Sequence, residues 1–177
     1  MDGRKTIAIR PEPLNRREEL DDKRELLRHT LATLVYRAAK PMRDIPPRFG
    51  KMRAGDDCRS AAEIVAHMCD LLDWALTAAQ GAPVWKPTAP ISFTKDAARF
   101  FSAAQALDDY LASDALLGCP CEKLFQGPIA DALTHVGQLA TLRRLAGAAV
   151  RAEDYFVAEI EAGRVGSDQA NPIREVD

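Results

Sequence analysis

The chain has 177 residues, 47% of them hydrophobic, which suits a single domain with a sizeable core. Its 24 basic and 26 acidic residues leave a formal charge of −2, so no overall field draws it toward phosphate backbones or anionic lipid. Met1 to Ile7 lack the apolar core of a signal peptide, and no later run approaches roughly 18 uninterrupted apolar residues, so a cytoplasmic protein without membrane or nucleic-acid partners is expected.

From about Asn15 to Arg43, Leu20, Leu27, Leu31, Leu34 and Ala38 recur at helical spacing among good helix formers, predicting a long amphipathic first helix. Pro41 and the Pro46-Pro47 pair should stop it, because proline has no amide donor and displaces its predecessor from the α region. Ser60-Ala61-Ala62-Glu63 reads as a capping box that starts a second helix, running to about Gln80. Gly81 and Pro83 close that helix, and the loop through Trp85, Pro87 and Pro90 is too rich in proline to be helical and is expected to cover one end of a bundle. A third helix is predicted from Phe93 to about Ser113, through Ala97, Phe100, Ala104, Leu107 and Leu111, before Gly118 and Pro120.

Gly127-Pro128 marks a fourth start, with the helix ending at Ala146 before Gly147. Its apolar residues, from Ile129 to Leu142, cover more than half the circumference, so it should be the central helix. A short fifth helix is predicted from Ala152 to Ala162, closed by Gly163. Both ends, Met1 to Pro13 and Gly163 to Asp177, are too polar to offset ordering entropy and should be loose. The expectation is one all-α domain over residues 1–177, its core from about 15 to 163, with four main helices in an antiparallel or crossover bundle.

The four cysteines, Cys58, Cys69, Cys119 and Cys121, have no C-x-x-C spacing and are expected to be free thiols. The three histidines separate by helical position. His29 lies opposite the Leu27, Leu31, Leu34 stripe and should face solvent. His67 stands three residues after Ile64 and four before Leu71, on the buried stripe of helix two. His135 stands three after Ala132 and four before Leu139, with Asp131 one turn earlier on the same edge.

Buried imidazoles need partners and a buried carboxylate needs charge compensation, which a shared divalent cation supplies for His67, Asp131 and His135 together. Ordinary core hydrogen bonding is the other reading of each histidine alone. Glu-x-x-His pairs, H-E-x-x-H, glycine-rich phosphate loops and G-x-S-x-G are all missing. Arg143-Arg144 is expected on a solvated helix edge.

The segments Ala61-Ala62-Glu63-Ile64-Val65-Ala66-His67-Met68 and Asp131-Ala132-Leu133-Thr134-His135-Val136-Gly137-Gln138 resemble the two signature segments of the DinB/YfiT-like superfamily. That resemblance extends from the first helix to Gly147. It implies an up-down-down-up four-helix bundle, a homodimer, and a divalent metal, most commonly zinc or nickel, held by one histidine of helix two and two of a later helix.

His67 and His135 match the first and last of those positions, and Asp131 replaces the middle histidine. A two-histidine, one-carboxylate set also suits iron or manganese. Gln138 and Glu63 are expected to stand behind the ligands. Relatives of this type include transferases and isomerases that use a low-molecular-weight thiol, so the implied function is a metal-dependent enzyme of that kind. The competing expectation is a non-catalytic, stress-linked dimeric bundle that lost tight metal binding when aspartate took the middle place.

Overall fold

The computed structural model of the chain describes the backbone of residues 16–176 and the side chains of residues 18–176. The segment Met1 to Pro13, expected to be loose, lies outside the described residues. Four longer helices dominate: α1 (Arg16–Met42), α2 (Ala61–Ala79), α3 (Phe93–Ala112) and α5 (Ala130–Leu145), the last preceded by a short α4 (Cys121–Leu124). α1 and α2 each pack on both α3 and α5, so each pair lies across a diagonal and the four form a closed ring around one core. The core holds the stripe residues Leu31, Leu34, Phe100, Leu107 and Leu139 read from sequence, and beside them Met68 and Leu72 of α2, all fully buried.

α1 carries Pro41 in its final turn and ends one residue later. Leu20, placed in its apolar stripe by spacing, is 40% exposed because the stripe enters the core only from Leu27 onward. His29 is exposed, as its phase predicts.

Ser60 starts α2 with the capping box the sequence announces: its Oγ accepts from Glu63 N at 3.3 Å and its own N–H donates to Glu63 Oε2 at 2.7 Å. At the other end Gly81, at φ 84°, reverses the chain, with Gly81 N–H donating to Ala78 and Ala82 N–H to Thr77. Gly118 crosses that turn so closely that a Cβ on it would lie 2.1 Å from Gly81 Cα, and its N–H donates to Ala79 O at 2.7 Å. Only glycine fits there.

The predicted start of the fourth helix at Gly127 is corrected. The backbone is already helical from Cys121 and passes through a π-helical turn, Phe125–Ile129, that holds Pro128. In a regular α-helix that ring would press on the carbonyl four residues back; the wider turn admits a residue with no amide hydrogen.

The predicted fifth helix is also absent. Ala152–Glu153 form a two-residue antiparallel ladder with Glu175–Val176, and Tyr155–Val157 make a single 3-10 turn. Local and tertiary bonds win over propensity there: Asp154 accepts from Phe156 N–H and pairs with Arg174, and buried Glu153 accepts from Tyr36 Oη at 2.5 Å. Phe156, counted toward the helix, is 97% exposed.

The tail after Gly163, expected to be loose, is docked over its described part. Val165 is fully buried, Lys40 bridges Glu153 and Glu175, and Gly163 lies against the paired Arg28 and Asp108. Arg143 is not solvated either: it is buried, donating to Ala148 O and Arg43 O at 2.8 Å each, and so ties the end of α5 to the end of α1. Arg144 remains exposed. All four cysteines are free, as expected. Among the described residues no helix is long and apolar enough to cross a membrane.

Candidate metal centre

α2 and α5 pack side by side as neighbours in the ring, and the one turn between Asp131 and His135 aims both at His67. His67 Nε2 lies 3.6 Å from Asp131 Oδ2, and His135 Nε2 lies 3.5 Å from Asp131 Oδ1. The two imidazoles stand edge to face with centroids 4.9 Å apart, and one donor atom from each of the three residues lies within 4.8 Å of the others. The group drawn together from two distant sequence segments can therefore hold a metal ion.

The spacing leaves room for an ion. At 3.6 Å, His67 and Asp131 are too far apart for a hydrogen bond, and His67 makes none with any other described residue. Donors about 2.1 Å from one ion in tetrahedral geometry sit about 3.4 Å apart, close to the separations that Asp131 makes through its two oxygens, and the 4.8 Å span of the whole group asks the side chains to draw together around an ion. Two imidazole nitrogens and one carboxylate oxygen form a face with further positions open, the pattern of a reactive centre more than of a closed structural one.

The two imidazoles are also well turned for the task. Burial, then the Arg59 guanidinium and then His135, lower the pKa of His67 against the smaller opposing pull of Asp131 and Asp70, so its imidazole is held neutral with a lone pair to give. His135 Nδ1 stands 2.8 Å from Gln138 Oε1. An amide oxygen only accepts, so Nδ1 carries a hydrogen and Nε2 is the nitrogen turned toward Asp131. Gln138 thus stands behind His135 as expected from sequence.

Glu63 does not stand behind His67. Its carboxylate is taken by Ser60 N–H and Arg53 in the first turn of α2, where the orphan amide and the guanidinium outcompete a neutral imidazole. Asp131, read as sharing a buried edge, keeps 48% of its side chain exposed, while His67 and His135 keep 17% and 7%. The acid is the open side of the group.

Sequence reasoning missed the walls. Trp85 packs edge to face on His67 with centroids 5.7 Å apart, and Trp74 braces Trp85 at 5.8 Å. The loop that carries Trp85 is anchored by Asp70, one turn after His67, which accepts from Thr88 N–H at 2.9 Å, Thr88 Oγ1 at 2.7 Å and Arg99 at 2.6 Å. The only hints in the sequence were an acid on a buried stripe and a tryptophan among prolines.

Two cavities open on the group: one of about 350 Å³ reaching His67, another of about 780 Å³ reaching His135 and Gln138. A cleft of about 760 Å³ between the start of α1 and the end of α3 has neither histidine nor cysteine in its walls. Comparison with known proteins gives no matching family model, no matching curated protein and no matching solved structure.

Proposed function

We propose that this chain is a divalent-metal-dependent enzyme of the DinB/YfiT-like up-down-down-up bundle type, a transferase or isomerase that uses a low-molecular-weight thiol. The observation that carries the proposal is the open face of two imidazoles and one carboxylate, with donor atoms within 4.8 Å of one another and two cavities leading to it. The resemblance of the segments around His67 and His135 supplies the thiol and the expectation of a homodimer.

In this reading His67, Asp131 and His135 hold the ion; zinc or nickel leads, and iron or manganese also suits the donor set. A bound cation of this kind stabilises a thiolate, the nucleophilic form of a thiol, near neutral pH. Gln138 fixes the His135 tautomer, Trp85 shields one side of His67 from water, and the half-exposed Asp131 leaves the approach open.

The test is elemental analysis of protein purified without chelator or affinity tag, beside His135→Ala. One divalent ion per chain, lost in the variant, is the expected result. A metal-free wild type that also takes up no added zinc or nickel defeats the proposal and leaves the non-catalytic bundle.

A further inference from the structure

One cation near the candidate centre has no bonded partner among the described residues. Arg59 immediately precedes Ser60, the residue that caps α2, so its charge lies at the positive end of that helix's dipole. Its side chain lines both cavities, with His67 in one and His135 in the other. It lies close enough to His67 for its charge to be the second cause, after burial, of that imidazole's lowered pKa. A metal held by the three ligands would add further repulsion.

The other basic side chains beside it are already matched, while Asp56 and Asp57, which line the cavities with it, form no ion pair among the described residues. Arg53 is paired with Glu63, and Arg99 with Asp70 and Asp73. Arg59 itself forms no hydrogen bond or ion pair with any described residue. Asp56 and Asp57, its nearest acids in sequence, are exposed and unpaired with it. An arginine fork left open beside a metal site suits a planar acid group that takes two parallel N–H bonds while a second atom of the same or a neighbouring molecule reaches the metal.

We infer that Arg59 is a specificity-determining residue that selects small carboxylic acids as reactants at the centre formed by His67, Asp131 and His135. This inference rests on the proposed metal-binding reading. The carboxylate belongs either to the thiol bound at the metal or to the second reactant, and two arms of one experiment tell these apart.

The protein is loaded with cobalt(II), whose visible spectrum reports the metal site independently of any activity. In the first arm 3-mercaptopropionate and 2-mercaptoethanol, which share a sulfur donor and differ in the acid, are titrated by the thiolate-to-cobalt band; each thiol releases its proton to buffer as sulfur binds. In the second, succinate and succinamide are titrated into the 2-mercaptoethanol complex.

The expected result is that Arg59→Met weakens the acid about tenfold in one arm, the size of one charge-assisted hydrogen bond, with its uncharged counterpart and the cobalt stoichiometry unchanged. Arg59→Lys should recover part of the loss, because the charge returns without the fork. Loss in the first arm places the acid on the thiol, and loss in the second places it on the other reactant. Cobalt binding with no Arg59-dependent difference in either arm overturns the inference while leaving the metal centre standing. Absence of a cobalt spectrum in the wild type overturns both.

Discussion

Removing Asp131 separates a metal ligand from a structural residue, because the geometry assigns it almost no part in holding the apo fold. Its side chain is 48% exposed, and both imidazole contacts are at 3.5 Å or beyond. α5 continues the helical backbone of the π-turn before it, so no free helix end exists for its charge to stabilise. Asp131→Ala should therefore cost the metal-free protein less than about 0.5 kcal/mol.

With zinc the same change should be large. A ligand present at a hundred times its dissociation constant stabilises the native state by about 2.7 kcal/mol, and for a domain of this size each kcal/mol moves the melting temperature by about 2–4 °C. The wild type should thus gain about 5–11 °C with zinc. If losing one of three ligands weakens binding at least a hundredfold, the residual gain at the same zinc concentration is about 0.4 kcal/mol, or about 1 °C. Differential scanning fluorimetry of chelator-treated protein, with and without zinc, measures both quantities. An undiminished zinc shift in Asp131→Ala, or a metal-free variant that melts many degrees below the wild type, would refute the assignment.

The two tryptophans offer an optical check: nickel or cobalt should quench fluorescence through Trp85, 5.7 Å from His67, and Trp85→Phe should lose most of that quenching in a steady-state titration. Gly118→Ala forces a Cβ to within 2.1 Å of Gly81 Cα, backbone against backbone, and should cost about 2–4 kcal/mol in urea unfolding. Tyr36→Phe leaves the Glu153 carboxylate, whose side chain is 1% exposed, with only Lys40 at 3.6 Å, so about 1–3 kcal/mol should be lost, with faster proteolysis between Gly163 and Arg174.

Burial pushes the Cys69 thiol from 9.0 up to about 12, so at pH 8 a disulfide reagent should modify exposed Cys58 first and Cys69 only on unfolding. Because that pKa is raised in the folded state, its contribution to stability is complete below pH 9 and declines as pH rises toward about 12; Cys69→Ala should remove this part of the alkaline loss.

The parts of the fold that could be read from sequence are those decided within one or two helical turns. Ser60 and Glu63 satisfy each other locally, and Asp131 and His135 share an edge by spacing alone, so neither depended on knowing a neighbour. The adjacency of His67 to that edge is a tertiary fact, and only the resemblance of the two segments suggested it.

The failures have the same origin. Gly127-Pro128 looks like a start because nothing local signals a π-turn, and the Ala152 to Ala162 stretch looks helical until Tyr36 offers Glu153 a buried hydroxyl. Arg143 reads as a surface charge until the carbonyls of Ala148 and Arg43 arrive to accept from it.

The two loops beside the candidate ligands differ in how they are held. The Trp85 loop is fixed by four bonds among Asp70, Thr88 and Arg99, and Trp85 is wedged between His67 and Trp74. It acts as a rigid wall. The opposite loop, residues 52–59, is held by Arg53 donating to Cys58 O and pairing with Glu63, and by Met52 O accepting from Ala61 N–H, which leaves the Arg59 guanidinium unheld. The three candidate ligands therefore lie between a fixed aromatic face and an arginine without a bonded partner among the described residues, with the exposed edge of Asp131 between them. In the proposed function the unheld Arg59 side chain reorganises around an anion while the Trp85 loop keeps water from the other side.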